Sequence, residues 1–300
     1  MNFINSHTGE FAALLTAIFW TITSLAFETA SHKIGTIAVN ILRLLLGLLF
    51  LSIFTFIRRG MILPFDADFF NWKWLFLSGL IGFVFGDLFL FESYVIIGSR
   101  FSMLIMTLVP PLTALFGFLF IGERLTLYHF FGMSLTFLGI SMAIFGRENK
   151  GDKLSLKLAP RGILYAVGGA IGQALGLVLS KLGMRDYDPF AATQIRIIAG
   201  ILGYILLVTI LSRWRHVSRA VHNREGMLFT TLGSFFGPFL GVSFSLIAIK
   251  YTAAGIASTI MSLVPIFIIL PAVIIYKEKV TLPEMLGAFV SVAGVALFFM

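Results

Sequence analysis

The chain has no cysteine, which excludes a disulfide framework, thiolate catalysis and any cysteine-ligated metal. Charge is scarce. Only 12% of the 300 residues are Asp, Glu, Lys or Arg, about half the share of an ordinary soluble domain. The five histidines, His7, His32, His129, His216 and His222, fall at termini or in polar connections, and none forms a spaced metal set with carboxylates. There is no glycine-rich phosphate loop, no Ser/His/Asp set and no polar domain to hold a cofactor. The expectation is therefore a non-enzyme, with no catalytic residue, no cofactor and no metal. The first ten residues, MNFINSHTGE, lack a basic leader, so the first apolar run reads as retained in the protein.

What the chain has is apolar length, with 58% of its residues hydrophobic. Charged residues lie mostly between apolar runs, as they do when the runs sit in hydrocarbon. Ten runs, about 10–30, 37–57, 74–97, 101–121, 127–146, 161–180, 190–211, 227–249, 256–276 and 283–300, each approach the roughly 17–25 residues that cross a bilayer as helix. An open sheet would leave backbone groups unsatisfied in lipid. The expected fold class is thus an all-α integral membrane protein with ten transmembrane helices. The net charge of +8 sits in short juxtamembrane connections, so the expected partner for it is the anionic surface of the lipid bilayer and no nucleic acid.

Ser102–Thr126 reappears 155 residues later as Ala257–Thr281. Among many cheap apolar matches, the selective ones are Pro110 with Pro265, Glu123 with Glu278, Thr126 with Thr281, Gly132 with Gly287 and Gly139 with Gly294. Upstream, at an offset of 153, Arg43 in NILRLLLG matches Arg196 in TQIRIIAG, and Glu28 falls opposite Lys181. The chain therefore divides into a first five-helix repeat (1–146), a polar connecting loop (147–160) and a second five-helix repeat (161–300). An odd number of helices per copy turns the second copy over, so the repeats are expected to be inverted about an axis in the membrane plane.

The segments AALLTAIFWTITSLAFE, NILRLLLGLLF and the proline-bearing stretch ending in GERLT resemble the EamA domain of the drug/metabolite transporter superfamily, and the second half resembles another copy. Lys277 stands where that turn carries glycine. The resemblance implies ten helices in inverted five-helix repeats, a central cavity and transport of small metabolites, often efflux of amino acids or drugs. It also implies both termini in the cytoplasm. The Lys and Arg count points the other way. The side reached by Arg58, Arg59, Lys73, Arg124, Lys181, Arg185 and Lys250 is the poorer one, and it is also the side of the termini.

Ionisable groups inside spans cost about 2.5–3.5 kcal/mol each on insertion scales, and so face a cavity or a partner. Arg43 lies near 9 Å deep at about 1.5 Å per residue, with Glu92 at similar depth and Glu28 on the same side. These three read either as a structural ion-pair group or as a site in which a carboxylate takes a proton or ammonium and Arg43 holds a carboxylate. Asp87 is the deepest acid, and its repeat partner is Val242. Gln173 and Arg196 are the matching polar positions of the second half. Trp20, far from any interface, suits a platform for an apolar solute. Pro110 and Pro265 free a carbonyl one turn back and read as matched hinges or cavity walls. The functional expectation is a secondary transporter, an exporter of small organic metabolites such as amino acids or drugs. It works by alternating access, coupled to protons through Asp87 or Glu92, and sits in the cell (inner or plasma) membrane. The alternatives are a uniporter or exchanger, and a non-transporting interaction or sensor protein.

Overall fold

The structure, a computed structural model, describes residues 6–146, 159–274 and 281–299. Most of the connector expected at 147–160, and the turn carrying Lys277 and Glu278, lie outside the described residues. All regular structure among the described residues is helical, as hydrocarbon demands of an unpaired backbone.

Among the described residues, eight helices are long and apolar enough to cross a membrane: α1 (Thr8–Ile34), α2 (Thr36–Arg59), α3 (Phe69–Ser99), α4 (Phe101–Ile121), α6 (Pro160–Met184), α7 (Pro189–Ile210), α9 (Arg224–Tyr251) and α11 (Leu282–Phe299). Two shorter apolar helices, α5 (Leu127–Ala143) and α10 (Ala254–Ile269), occupy the fifth and ninth expected spans. One further helix was not anticipated: α8 (Trp214–Val221), in the basic stretch before α9, buries Val217 and Ala220 and exposes its arginines. Helix starts follow local chemistry. Asp68 and Asn71 form a capping box at α3, Asp188 caps α7 with Pro189 in its first turn, and Thr281 with Glu284 caps α11.

Two features interrupt the helical period at matched places. Leu80–Gly86 in α3 and Phe235–Gly241 in α9 are π-helical turns of seven residues each, and they are 155 residues apart. A π turn inserts one residue into the face that follows, and such turns gather at functional sites. Here they end just before Asp87 and Val242. Separately, Gly98 adopts φ 78°, ψ 156°, a region open essentially to glycine alone, and the chain breaks there between α3 and α4.

The two halves interlock. Gly82 and Gly86 of α3 pack on Gly176 and Gly172 of α6, while Gly237 and Gly241 of α9 pack on Thr23 and Trp20 of α1. Missing side chains allow this close approach. Gly47 of α2 meets Ile197 of α7, and Gly200 meets Leu44; at the offset of 153, Leu44 corresponds to Ile197 and Gly47 to Gly200. In the same manner Gly132 of α5 meets Gly294 of α11, and Gly139 meets Gly287, with the Ser291 hydroxyl donating to Thr136 O at 3.4 Å. In both pairs of matched helices, residue numbers rise along one member as they fall along the other, so the members run antiparallel.

Contacts fix which connections share an end of the bundle. Gly9, at the start of α1, abuts Thr252 after α9, and the His7 ring stacks 5.5 Å from Phe299. Lys181 Nζ lies 2.6 Å from Glu123 and donates to Thr252 O at 2.6 Å, while Tyr187 donates to Asp66 at 2.8 Å. At the far end of α1, Lys33 pairs with Glu225 at 2.7 Å and Ile34 O lies 2.9 Å from the His216 ring. Burial pushes the Asp66 carboxyl up, but the Tyr187 hydroxyl, its own amide and Arg59 outweigh burial and hold it below the ordinary carboxylate value. Burial first, and then Asp66, push the Tyr187 phenol to about 12.

Candidate functional site

A cavity of about 120 Å³ lies where α1, α2, α3, α4, α6, α7, α9 and α10 converge. One water needs roughly 10–15 Å³ of such space, so the cavity holds on the order of ten water-sized groups. The candidates Trp20, Arg43, Asp87, Gln173, Arg196 and Pro265 all line it. Helices α5 and α11 contribute no described lining residue. Their small-residue faces are used up on each other.

The pairing of Arg43 differs from the sequence expectation that joined it to Glu92. Its guanidinium Nη2 donates to Asp87 Oδ2 in a short ion pair, with side chains only 5% and 9% exposed. Its Nε donates to Asn40 Oδ1 at 3.0 Å. Gln173 Nε2 donates to the other oxygen of Asp87. Three aromatic rings enclose the Arg43 guanidinium, with Phe27, Phe83 and Phe91 centroids at 5.5, 5.6 and 4.8 Å. This aromatic cage was not anticipated. Its signal is the spacing of Phe83, Asp87, Phe91 and Tyr94, which keeps one face of α3 turned to the cavity.

Glu92 and Glu28 lie outside the lining. Glu92 accepts from the Thr36 hydroxyl at the start of α2. Glu28 accepts from the Ser99 amide at 3.1 Å and the Ser99 hydroxyl at 2.6 Å, just past the Gly98 break, where a carboxylate suits free helix N–H groups. Glu123 does the same service at the other end, accepting from the Ala254 amide at 3.0 Å at the start of α10. The matched prolines part company: Pro265 faces the cavity, while Pro110 lines a separate lateral groove between α4, α5 and α10.

Arg196 sits seven residues beyond the start of α7, as Arg43 does in α2, at 4% exposure. Its guanidinium lies 4.9 Å from the Phe83 centroid. Among the described residues its Nε has no hydrogen-bond partner and it joins no ion pair. No group of three or more metal-ligating residues is found among the described residues.

Apolar helices of spanning length around a central cavity lined by charged groups define a multi-pass membrane protein. The EamA-like transporter family matches residues 7–145 and again 160–300, so the chain belongs to the EamA-like transporter family, as two copies of its unit. No curated protein matches it. One solved structure, titled only as the crystal structure of a protein, is similar with a TM-score of 0.72 at 18% identity, covering 97% of this chain and 95% of its own. At that identity the likeness is one of fold.

Proposed function

We propose that the chain is a secondary transporter that moves a small organic metabolite, such as an amino acid or drug-like solute, outward across the cell membrane by alternating access through the central cavity. The observation that carries this reading is the convergence of Arg43, Asp87, Gln173, Arg196 and Trp20 on one cavity. Charged groups that deep persist where they serve a solute path or a partner.

The architecture we propose for it is ten crossings in two inverted repeats. Glu123, after α4, and Lys181, near the end of α6, meet at one end of the bundle, which supports a crossing by α5. Ala254, which starts α10, and Phe299, which ends α11, lie at that same first end, which supports a crossing by α10. The antiparallel contacts of α2 with α7 and of α5 with α11 are those that a two-fold axis in the membrane plane would produce.

Proton coupling through Asp87 requires the carboxylate to release Arg43 and Gln173, since both its oxygens accept hydrogen bonds. A uniporter or exchanger needs no such step, and the ion pair favours it as the second reading. The test is flux of amino acids and metabolites into proteoliposomes, with and without an imposed pH gradient. Saturable flux that rises with the gradient and is lost in Asp87→Asn is the expected result. Saturable flux indifferent to the gradient would replace proton coupling with uniport or exchange. No flux for any solute, from protein shown to be folded, would overturn transport.

A further inference from the structure

The cavity carries one positive charge more than it neutralises. Both oxygens of Asp87 accept, from Arg43 and Gln173, and Arg196 feels the charge of that shared Asp87 without joining an ion pair of its own among the described residues. A buried cation without a partner is strongly unfavourable unless something completes it. The repeat shows where the missing anion belongs. Arg43 and Arg196 are matched positions, and Arg43 receives its carboxylate from the residue that follows the π turn of α3. The residue that follows the matched π turn of α9 is Val242, which also lines the cavity. The chain thus builds the acid side of one pair and leaves the other open.

Resting on the transport reading of this cavity, we propose that the solute is a small organic anion whose carboxylate binds Arg196 in the place that the absent acid leaves. The guanidinium suits the role, because its planar fork pairs bidentately with a carboxylate and stays charged. Nothing larger than hydrogen stands at Gly82, where an added Cβ would lie 3.2 Å from the Arg196 Nη2, so the head group keeps its room. Trp20, Phe83, Tyr94, Met106 and Met261 form much of the remaining wall, a surface for an apolar or aromatic body. A cationic solute finds no free acid here, since the carboxylate of Asp87 is occupied.

The test uses 3-phenylpropionate and 4-methylpentanoate against their uncharged amides, with binding to the detergent-purified full chain read by equilibrium dialysis and by the shift in unfolding temperature. The expected result is that the carboxylates bind and the amides bind about 10- to 100-fold more weakly, the range of a charge-assisted bond. Arg196→Gln should lower carboxylate affinity by the same factor, Arg196→Lys should retain part of it, and Val242→Asp should abolish it by supplying the acid internally. Amides that bind the wild-type chain as well as the carboxylates do would overturn the proposal, and that comparison needs no variant to fold. So would unchanged carboxylate affinity in folded Arg196→Gln, or the absence of carboxylate binding altogether. Carboxylate binding without flux in liposomes would leave the site standing and overturn transport. Flux of the amides alone would do the reverse.

Discussion

Arg43 and Asp87 neutralise each other in a place where neither is tolerable alone. Removing one partner of such a buried pair leaves a bare charge, at a cost of about 3–5 kcal/mol. Arg43→Gln and Asp87→Asn should each lower the unfolding temperature of the detergent-purified protein sharply. The double variant should be more stable than the sum of the two losses predicts, and additive losses would mean that the two side chains do not act as a pair. The sequence marks both residues, because ionisable groups within apolar runs stand out at any reading. It does not mark their pairing. Partner choice depends on which face of α3 turns to α2, and the π turn at Leu80–Gly86 displaces that face by an inserted residue that a 3.6-residue period does not reveal. Glu92, five positions beyond Asp87, consequently meets Thr36 and leaves Arg43 to the nearer acid. That Arg196 forms no ion pair of its own among the described residues is equally invisible in sequence, because it follows from what its neighbours lack.

At the scale of elements, the repeated glycines mark close approaches between helices, although the sequence cannot say between which. Gly132 and Gly139 match Gly287 and Gly294 at the level of sequence, and in the fold each approaches the counterpart of the other. An added Cβ at Gly139 would collide with the backbone of Ser291 and Gly287, atoms that cannot rotate away. Gly139→Val should therefore cost about 1–3 kcal/mol, the range for overpacking, seen as a lower unfolding temperature. Solute affinity of the folded fraction should not change, because neither α5 nor α11 supplies a described lining residue. A variant that melts normally would mean that these helices do not pack through their glycines. The same scale accounts for Glu28 and Glu123. In sequence they look alike as acids near span ends, and in the structure both cap the first turn of a helix, at Ser99 and Ala254. Helix starts at interfaces are legible from Asp, Thr and Pro; a cap reached from 71 residues away is not.

At the scale of the molecule, the apolar runs, the doubling and the family were all legible, since hydrocarbon dictates run length and the repeat is carried by proline, glycine and charged positions. Alternation of the apolar runs groups the connections by side, and tertiary contacts such as Tyr187 with Asp66 and Lys33 with Glu225 add which of them touch. The central claim is that one cavity opens in turn to both sides of the membrane. The chain's lack of cysteine makes that directly measurable, because a single introduced thiol is the only one present. Ser258 is buried and lines the cavity. The decisive measurement is the rate at which a membrane-impermeant maleimide modifies Ser258→Cys from each side, in right-side-out and inverted vesicles, with and without a bound carboxylate. Alternating access predicts modification from both sides, with solute shifting the two rates in opposite directions. Modification from one side alone, whatever solute is present, would contradict it.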